Sequence, residues 1–482
     1  MGNRPPTPSI HILDDDSLLH IFYLYRPFFL GEDEDNLDSG QRRLWGGDER
    51  WDRGRWWYSL SHVCRRWRNI ILGSASYLDL SLVCTYGTPI ADMLTHSPHL
   101  PLVVDYFERG RGITTDDEEG IIFAFKQRER VLRVRLYAPV TGLQKFIAAL
   151  DDDYPILEFL VIDLPLEDKS TILILPETLQ APHLRSLYLR GSALPIGCPL
   201  LTTAVGLVTL SLLMIHPSTY FQPNTVLQWI LLMPQLEMLS ILFGFSIPSR
   251  DVERQLTHTP IIAHVTLPNL RHFQFRGVPT YLEALVHRMT TPRLERLLID
   301  FYNQLTFSVP SLLQFVNAGE NYRFGSAKFR FFTNAGDVWV YPHEEAEMPG
   351  LVINVFCWHL DWQVSSMAQI INSLGQVFSA VEHLTLEHRE HNQSSGEHSE
   401  VSLTEWRKLL RPFNNVKTLW IENGLVDDLS RCLQSEGGEL PLEVLPELQE
   451  LTYSGHGNIG DEFTSFIDAR RNAGRPITLV SL

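Results

Sequence analysis

The segment Pro182-His-Leu184-Arg-Ser-Leu187-Tyr-Leu189-Arg190 carries the pattern on which the fold turns: apolar-x-x-apolar-x-apolar, opened by Pro-x-Leu. Leu187 and Leu189 lie two residues apart, so on a strand they face one side while Tyr188 and Arg190 face the other. The pattern recurs as Val131…Val134-x-Leu136, Leu157…Leu160-x-Ile162, Leu207…Leu210-x-Leu212, Leu236…Leu239-x-Ile241, Leu270…Phe273-x-Phe275 and Leu294…Leu297-x-Ile299. It returns as Val381…Leu384-x-Leu386, Val416…Leu419-x-Ile421 and Leu448…Leu451-x-Tyr453.

Up to Leu294 the starts are 23 (Leu184 to Leu207) to 34 (Leu236 to Leu270) residues apart, and the last two intervals are 35 and 32. These values lie near or above the 20–29 residues of a leucine-rich repeat. Pro155, Pro182, Pro234, Pro268, Pro292 and Pro446 each open a unit as Pro-x-Leu. With no N–H and a fixed φ, proline suits the start of a strand, where no ladder donor is needed. Helix-like stretches such as Thr225 to Met233 and Tyr281 to Met289 lie between strands. A repeat of strand, loop, helix and loop cannot bury its apolar face alone and must stack on its neighbours. The expected fold class is therefore α/β: an irregular leucine-rich-repeat-like solenoid over residues 77–482, with a curved parallel sheet. The repeat consensus has Asn or Cys two residues past the last strand leucine, whereas this chain has Ser192, Ile215, Gly244, Val278 and Tyr302 near those turns. Residues 303–380 follow the pattern poorly, with Phe329-x-Phe331 and Leu351 to Val355 as candidate strands.

Residues 1–76 read differently. Asp14, Asp15 and Asp16 precede Leu18, Leu19, Ile21, Phe22 and Tyr25. Aspartates cap a helix start, and Leu18, Ile21, Phe22 and Tyr25 at i, i+3, i+4 and i+7 predict one apolar stripe ending at Pro27. Leu60, Val63, Cys64, Trp67, Ile70 and Ile71 predict a second stripe, with Gly73 as terminator. Leu13-Asp-Asp-Asp16-Ser-Leu-Leu-His-Ile-Phe22, followed by Leu60-Ser-His-Val-Cys-Arg-Arg-Trp-Arg68, resembles an F-box. The resemblance implies docking onto a Skp-type adaptor, and through it onto a cullin-based ubiquitin ligase, with Leu13, Leu18, Leu19, Ile21, Phe22, Leu60, Val63, Cys64 and Trp67 as the adaptor-binding set. Asp14 and Asp16 stand where that family has proline and glutamate. An insert at about 26–57 replaces the family's short connection. It holds Trp45, Trp51, Trp56 and Trp57, with 8 acidic residues against 6 basic ones; it reads as a surface excursion whose tryptophans pack back on the module, with an accessory partner contact as the alternative. An F-box followed by such repeats resembles the substrate receptors of Skp–cullin–F-box ligases.

Recognition of a protein target is expected on the alternating strand positions: Tyr188, Arg190, His272, Gln274, Arg276, Arg296, Asp300, Trp420 and Glu422. They read as a solvated face, and Arg190, Arg276 and Trp420 stand out because Arg and Trp are enriched in binding hot spots. A net charge of −17 opposes non-specific nucleic-acid binding. Five cysteines without a C-x-x-C pair fit a reducing, intracellular setting. Neither a signal peptide nor a membrane span is expected, since Ile230 to Ile247 is broken by Pro234, Gln235 and Glu237.

No hydrolase, phosphate-loop, zinc-protease or dinucleotide motif is present, so no catalytic residue, metal or cofactor is expected. His383, His388, His391 and His398 with Glu387, Glu390 and Glu397 make a weak metal candidate. Cys432, His456 and Asp461 make a weak nucleophile set. The competing readings are an interaction scaffold without a ligase link, its helices serving as a cap, and a hydrolase with dispersed residues.

Overall fold

The computed structural model describes residues 13–26, 55–107, 111–165, 172–195, 197–216, 219–244, 264–302, 306–318, 324–344, 346–389, 402–433, 444–454 and 463–481. They group into two compact units, divided between Ala204 and Val205.

The first unit opens with three helices, α1 (Asp15–Tyr25), α2 (Trp56–Ser61) and α3 (Arg65–Gly73). Five strands of the main sheet follow: β1 (Leu82–Cys84), β2 (Leu102–Tyr106), β3 (Val131–Tyr137), β4 (Phe159–Asp163) and β5 (Ser186–Arg190). They pair in chain order and all in parallel. Helices Ile90–His96, Thr115–Phe125 and Val140–Ala149 fill the first three connections and pack side by side. Val134, Leu160 and Leu187 form one rung across β3, β4 and β5; Leu136, Ile162 and Leu189 form the next. All six are fully buried, and each such side chain contributes about 1.5–3 kcal/mol on leaving water.

The second unit contains β6 (Thr209–Ile215), β7 (Met238–Phe243), β8 (His272–Gly277), β9 (Arg296–Tyr302), β10 (Ser326–Phe332), β11 (Ala335–Tyr341), β12 (Leu351–Phe356), β13 (His383–Arg389), β14 (Thr418–Glu422), β15 (Glu450–Ser454) and β16 (Thr478–Ser481). Their order in the sheet is β6-β7-β8-β9-β12-β11-β10-β13-β14-β15-β16. In each of the ten pattern units the last two apolar residues fall on a strand; in the second unit Leu239, Phe273 and Leu297 share one rung, and Leu386, Ile421 and Tyr453 another. Helices Pro223–Leu231 and Pro279–Val286 occupy the stretches read as helical.

The expectation of an all-parallel sheet needs correcting. Both candidate strands of the irregular stretch exist, as β10 and β12, but β11 runs antiparallel between them. The reversal keeps β10 parallel to β13 and β12 parallel to β9. Alternation of Ala327, Phe329 and Phe331 with Lys328 and Arg330, then of Val338 and Val340 with Asp337 and Trp339, sets the core face of both hairpin strands. Burial alternates along the whole of β10, and along β11 only from Val338 onward, because Asp337 is buried too.

The six prolines also act differently from the expectation. Each is the second residue of a four-residue turn, and the leucine two positions on donates its N–H back across it. Leu157 bonds Tyr154 O (3.2 Å), Leu184 bonds Ala181 O (3.1 Å), Leu236 bonds Met233 O (3.1 Å) and Leu448 bonds Leu445 O (3.2 Å). Pro268 and Pro292 sit in the same bond pattern, from Leu270 to Leu267 and from Leu294 to Thr291. Proline's fixed φ suits that turn position, so it orients the chain just before the strand rather than starting it.

Without the Asn or Cys of the repeat consensus, side chains from elsewhere, several of them on the connecting helices, satisfy loop carbonyls one by one. Tyr106 donates to Thr85 O (3.0 Å), Tyr281 to Phe221 O (2.8 Å), and Gln363 to both Phe332 O and Cys357 O (2.8 Å each). Arg470, fully buried, donates to Leu445 O, Pro446 O and Leu448 O at 2.9–3.1 Å. A buried carbonyl without a donor costs about 1–3 kcal/mol, and these long side chains remove that cost at each junction.

Candidate functional site

Two surfaces carry the features expected of recognition, one on the helical module and one on the sheet of the second unit.

In the module, Asp14 caps α1 by accepting the Ser17 N–H at 2.7 Å, a bond that holds its carboxyl below the usual range. Leu18 and Phe22 are buried, and the Phe22 ring meets Trp67 edge-on with centroids 4.9 Å apart. Arg66 ties α3 to α1 through Asp15 Oδ1 (2.8 Å) and Leu13 O (2.6 Å). Ile21, Leu24 and Tyr25 turn the other way and are 43, 57 and 62% exposed. The single stripe expected on α1 is thus split between two faces.

The second expected stripe is interrupted as well. The chain leaves helical geometry at His62–Cys64, and Cys64 in extended conformation caps α3, its Sγ accepting the Trp67 N–H at 3.5 Å. Val63, left in the break, is 59% exposed, and Leu60 and Trp67 are half-buried. Of the insert, Trp57 is buried and its indole N–H donates to Ser81 O at 3.3 Å, while Arg55 reaches Val83 O at 3.3 Å. Trp45 and Trp51 lie outside the described residues.

Within each unit the target-binding candidates lie on the strand side opposite the leucine rungs, Tyr188 and Arg190 in the first unit and the others in the second. A solvated face is not what they form. Tyr188 is buried and Arg190 stands 3.8 Å from buried Asp163. His272 and Arg296 are each only 8% exposed. Burial, with Arg296 and Arg271 nearby, pulls the His272 imidazole down to about 4. Arg276 donates twice to Asp300 Oδ2, at 2.6 and 2.8 Å. Across β8, β9, β12, β11, β10 and β13 one row reads Arg276, Asp300, Asn354, Asp337, Arg330, Glu387. Arg330 binds both oxygens of Asp337 (2.9 and 2.6 Å) and stacks 3.8 Å over Trp339. Burial pushes the Asp337 carboxyl up, and Arg330 opposes that shift. The two arginines of that row are paired within it, to Asp300 and Asp337, and Glu387 pairs with Lys328 beside it, which leaves little of the row's charge for a partner.

Further along the same face the composition changes. Lys328, Thr385, Trp420 and Thr452 are neighbours across β10, β13, β14 and β15, and Ser326, His383, Thr418 and Glu450 form the row beside them. Small threonines on both sides of a half-buried indole leave a trough. A cavity of about 410 Å³ lies there, overhung by Glu344 and Glu347 from the connection between β11 and β12. Lys328 is bound to Glu387 at 2.6 Å, and His383 Nδ1 is 2.8 Å from Thr418 Oγ1 and 3.6 Å from Glu344. Trp420 is the one target-binding candidate that lines this cavity.

Comparison with family models gives no match, and comparison with curated proteins gives none. Among the solved structures that match is the leucine-rich repeat-containing protein LegL7 from Legionella pneumophila, at 11% identity. The match covers 83% of this chain and 99% of that one, with a TM-score of 0.25. The repeat architecture of this chain rests on its own parallel ladders and their rungs.

Among the described residues, no group of three His, Cys, Asp or Glu side chains is placed to hold a metal ion; His391, His398, Glu390 and Glu397 lie outside them. Burial pushes the Cys432 thiol up to about 12, and its Sγ faces Leu403 O, so it is a poor nucleophile. His456 and Asp461 also lie outside the described residues. No described helix is long and apolar enough to cross a membrane.

Sequence reasoning missed Glu344, Glu347, Thr385 and Thr452. The signal was available in part, because Phe331-Phe-Thr-Asn-Ala-Gly-Asp-Val338 has the alternation of a hairpin around Thr333-Asn334.

Proposed function

We propose that this chain is a non-catalytic, protein-binding adaptor. Its helical module docks a Skp-type adaptor of a cullin ubiquitin ligase, and its repeat region presents the sheet face to a protein target. The observation that carries this reading is the outer face of α1. Ile21, Leu24 and Tyr25 lie at i, i+3 and i+4, so they make one apolar strip, and Val63 adds a fourth exposed apolar side chain in the same module. A small helical module that holds large apolar side chains in water is suited to burying them on a partner. The F-box resemblance of Leu13–Phe22 and Leu60–Arg68 names the partner class. Ubiquitin transfer itself falls to the conjugating enzyme and the ligase's RING component, with this chain supplying proximity.

A second reading, an interaction scaffold whose helices only cap the repeats, is favoured by the bonds from Trp57 and Arg55 to Ser81 O and Val83 O at the first strand. Co-purification of the full chain with a Skp-type adaptor separates the two. The Ile21→Asp/Leu24→Asp variant alters only exposed positions, so it is expected to stay folded and to lose the adaptor. Equal capture by both proteins, or none by the native chain, would leave the capping reading standing.

A further inference from the structure

We infer that the cavity over Trp420 is a receptor for a basic side chain, arginine above all, of the protein target. The inference rests on the adaptor reading only in that it supplies the chemistry of the target that reading leaves open. Three features of the second unit's face support it.

The cavity has an aromatic floor. Trp420 sits between Thr385 on β13 and Thr452 on β15 in the parallel register, so no bulky neighbour covers its indole from either side. A guanidinium placed over an indole is attracted by the ring's negative face. The chain already uses that pairing at Arg330 and Trp339, 3.8 Å apart on the same sheet face.

The charges around the opening are unbalanced. Glu344, Glu347 and Glu450 line it against the single ammonium of Lys328, which is held by Glu387 at 2.6 Å. His383 is engaged by Thr418. Glu344 is well exposed, and Glu347 makes no hydrogen bond or ion pair with any described residue. The lining therefore offers carboxylates at the rim and a π face at the base, complementary to a planar cation with several N–H donors.

The volume fits as well. About 410 Å³ holds a long basic side chain with its flanking backbone at the mouth, and is at the small end for a drug-sized ligand. The rest of the face is different: its charged row is closed by Arg276–Asp300 and Arg330–Asp337 pairs, so a cation gains little there.

The test uses the full chain and a fluorescein-labelled glycine–serine dodecapeptide bearing three arginines, followed by fluorescence polarisation. Its control carries citrulline, which keeps the shape and loses the charge. The arginine peptide is expected to bind and the citrulline peptide to bind at least about tenfold more weakly. Glu344→Gln/Glu347→Gln is expected to weaken the arginine peptide about tenfold. Asp116→Asn/Glu129→Gln, two exposed carboxylates of the other unit, is expected to change it less than about twofold, because diffuse charge is screened. Trp420→Ala is expected to act like the Glu344/Glu347 pair. Failure to bind, equal binding of citrulline, or equal effects of the two acidic pairs would overturn the inference. Adaptor capture through Ile21 and Leu24 is read separately, so either proposal can fail alone.

Discussion

The Tyr302 hydroxyl, at the end of β9, donates to Phe243 O at the end of β7, 2.7 Å away and two strands distant, and also contacts Gly244 O. This one phenol closes the turn ends of two repeats and is itself buried. Burial also pushes its pKa above the usual range, so it remains a donor at any working pH.

Removing that hydroxyl tests how the repeats are joined. Tyr302→Phe keeps the ring and leaves the carbonyls without the donor, so unfolding free energy should fall by about 1–3 kcal/mol. Chemical denaturation with an unchanged slope is the measurement; a loss under about 0.5 kcal/mol would mean water replaces the phenol.

Gly277 ends β8 beneath two aromatic rings. A Cβ there would lie 2.8 Å from Phe275 Cζ and 2.9 Å from Phe243 Cδ2. Gly277→Ala should therefore destabilise by about 1–3 kcal/mol through overpacking, despite alanine's better backbone entropy. A thermal melt equal to that of the native chain would show that the rings give way freely.

His272 sets a pH dependence. Its folded pKa of about 4 lies below the ordinary 6.5, so the unfolded chain binds the proton more readily. The stabilisation is whole above about pH 6.5 and is lost as pH falls toward 4. Between those limits the loss is at most roughly 1.4 kcal/mol for each tenfold rise in proton concentration. His272→Gln should flatten this acid limb. Parallel urea titrations at pH 7 and pH 5 should show the native chain losing more stability than the variant.

Arg470 anchors the helix Thr464–Asn472 to the turn at Leu445–Leu448 by three carbonyl bonds. Arg470→Met preserves length and removes every donor, so a loss of about 2 kcal/mol or more is expected. Hydrogen exchange should rise first in residues 464–481; a uniform rise across the unit would count against local anchoring.

The repeating strands were legible because their signal is local. A period of two within each unit and the Pro-x-Leu turn before it identify strand and register from a few residues, as at Pro182–Leu189. The hairpin partner β11 was not read, because its direction depends on β12, which lies beyond the next turn. The paired state of Arg276, Arg330 and Lys328 was equally hidden. Their partners Asp300, Asp337 and Glu387 are adjacent only across the sheet, so nothing local marks the pairing, and Arg276 read as solvated. In the helical module, spacing alone joined Leu60 to Ile71 into one stripe. Cys64 in extended conformation, which breaks it, leaves no periodic trace.

The reversed strand β11 has a consequence for the order of assembly. In a regular repeat array each new strand lands on the one made just before it. Here β9 waits, its edge unpaired, until Leu351–Phe356 has been synthesised, because β10 belongs on the far side of β12. A bare strand edge is a template for the wrong partner. The stretch from Ser326 to Phe356 therefore enters the sheet as one three-strand block, β12-β11-β10, and not one strand at a time.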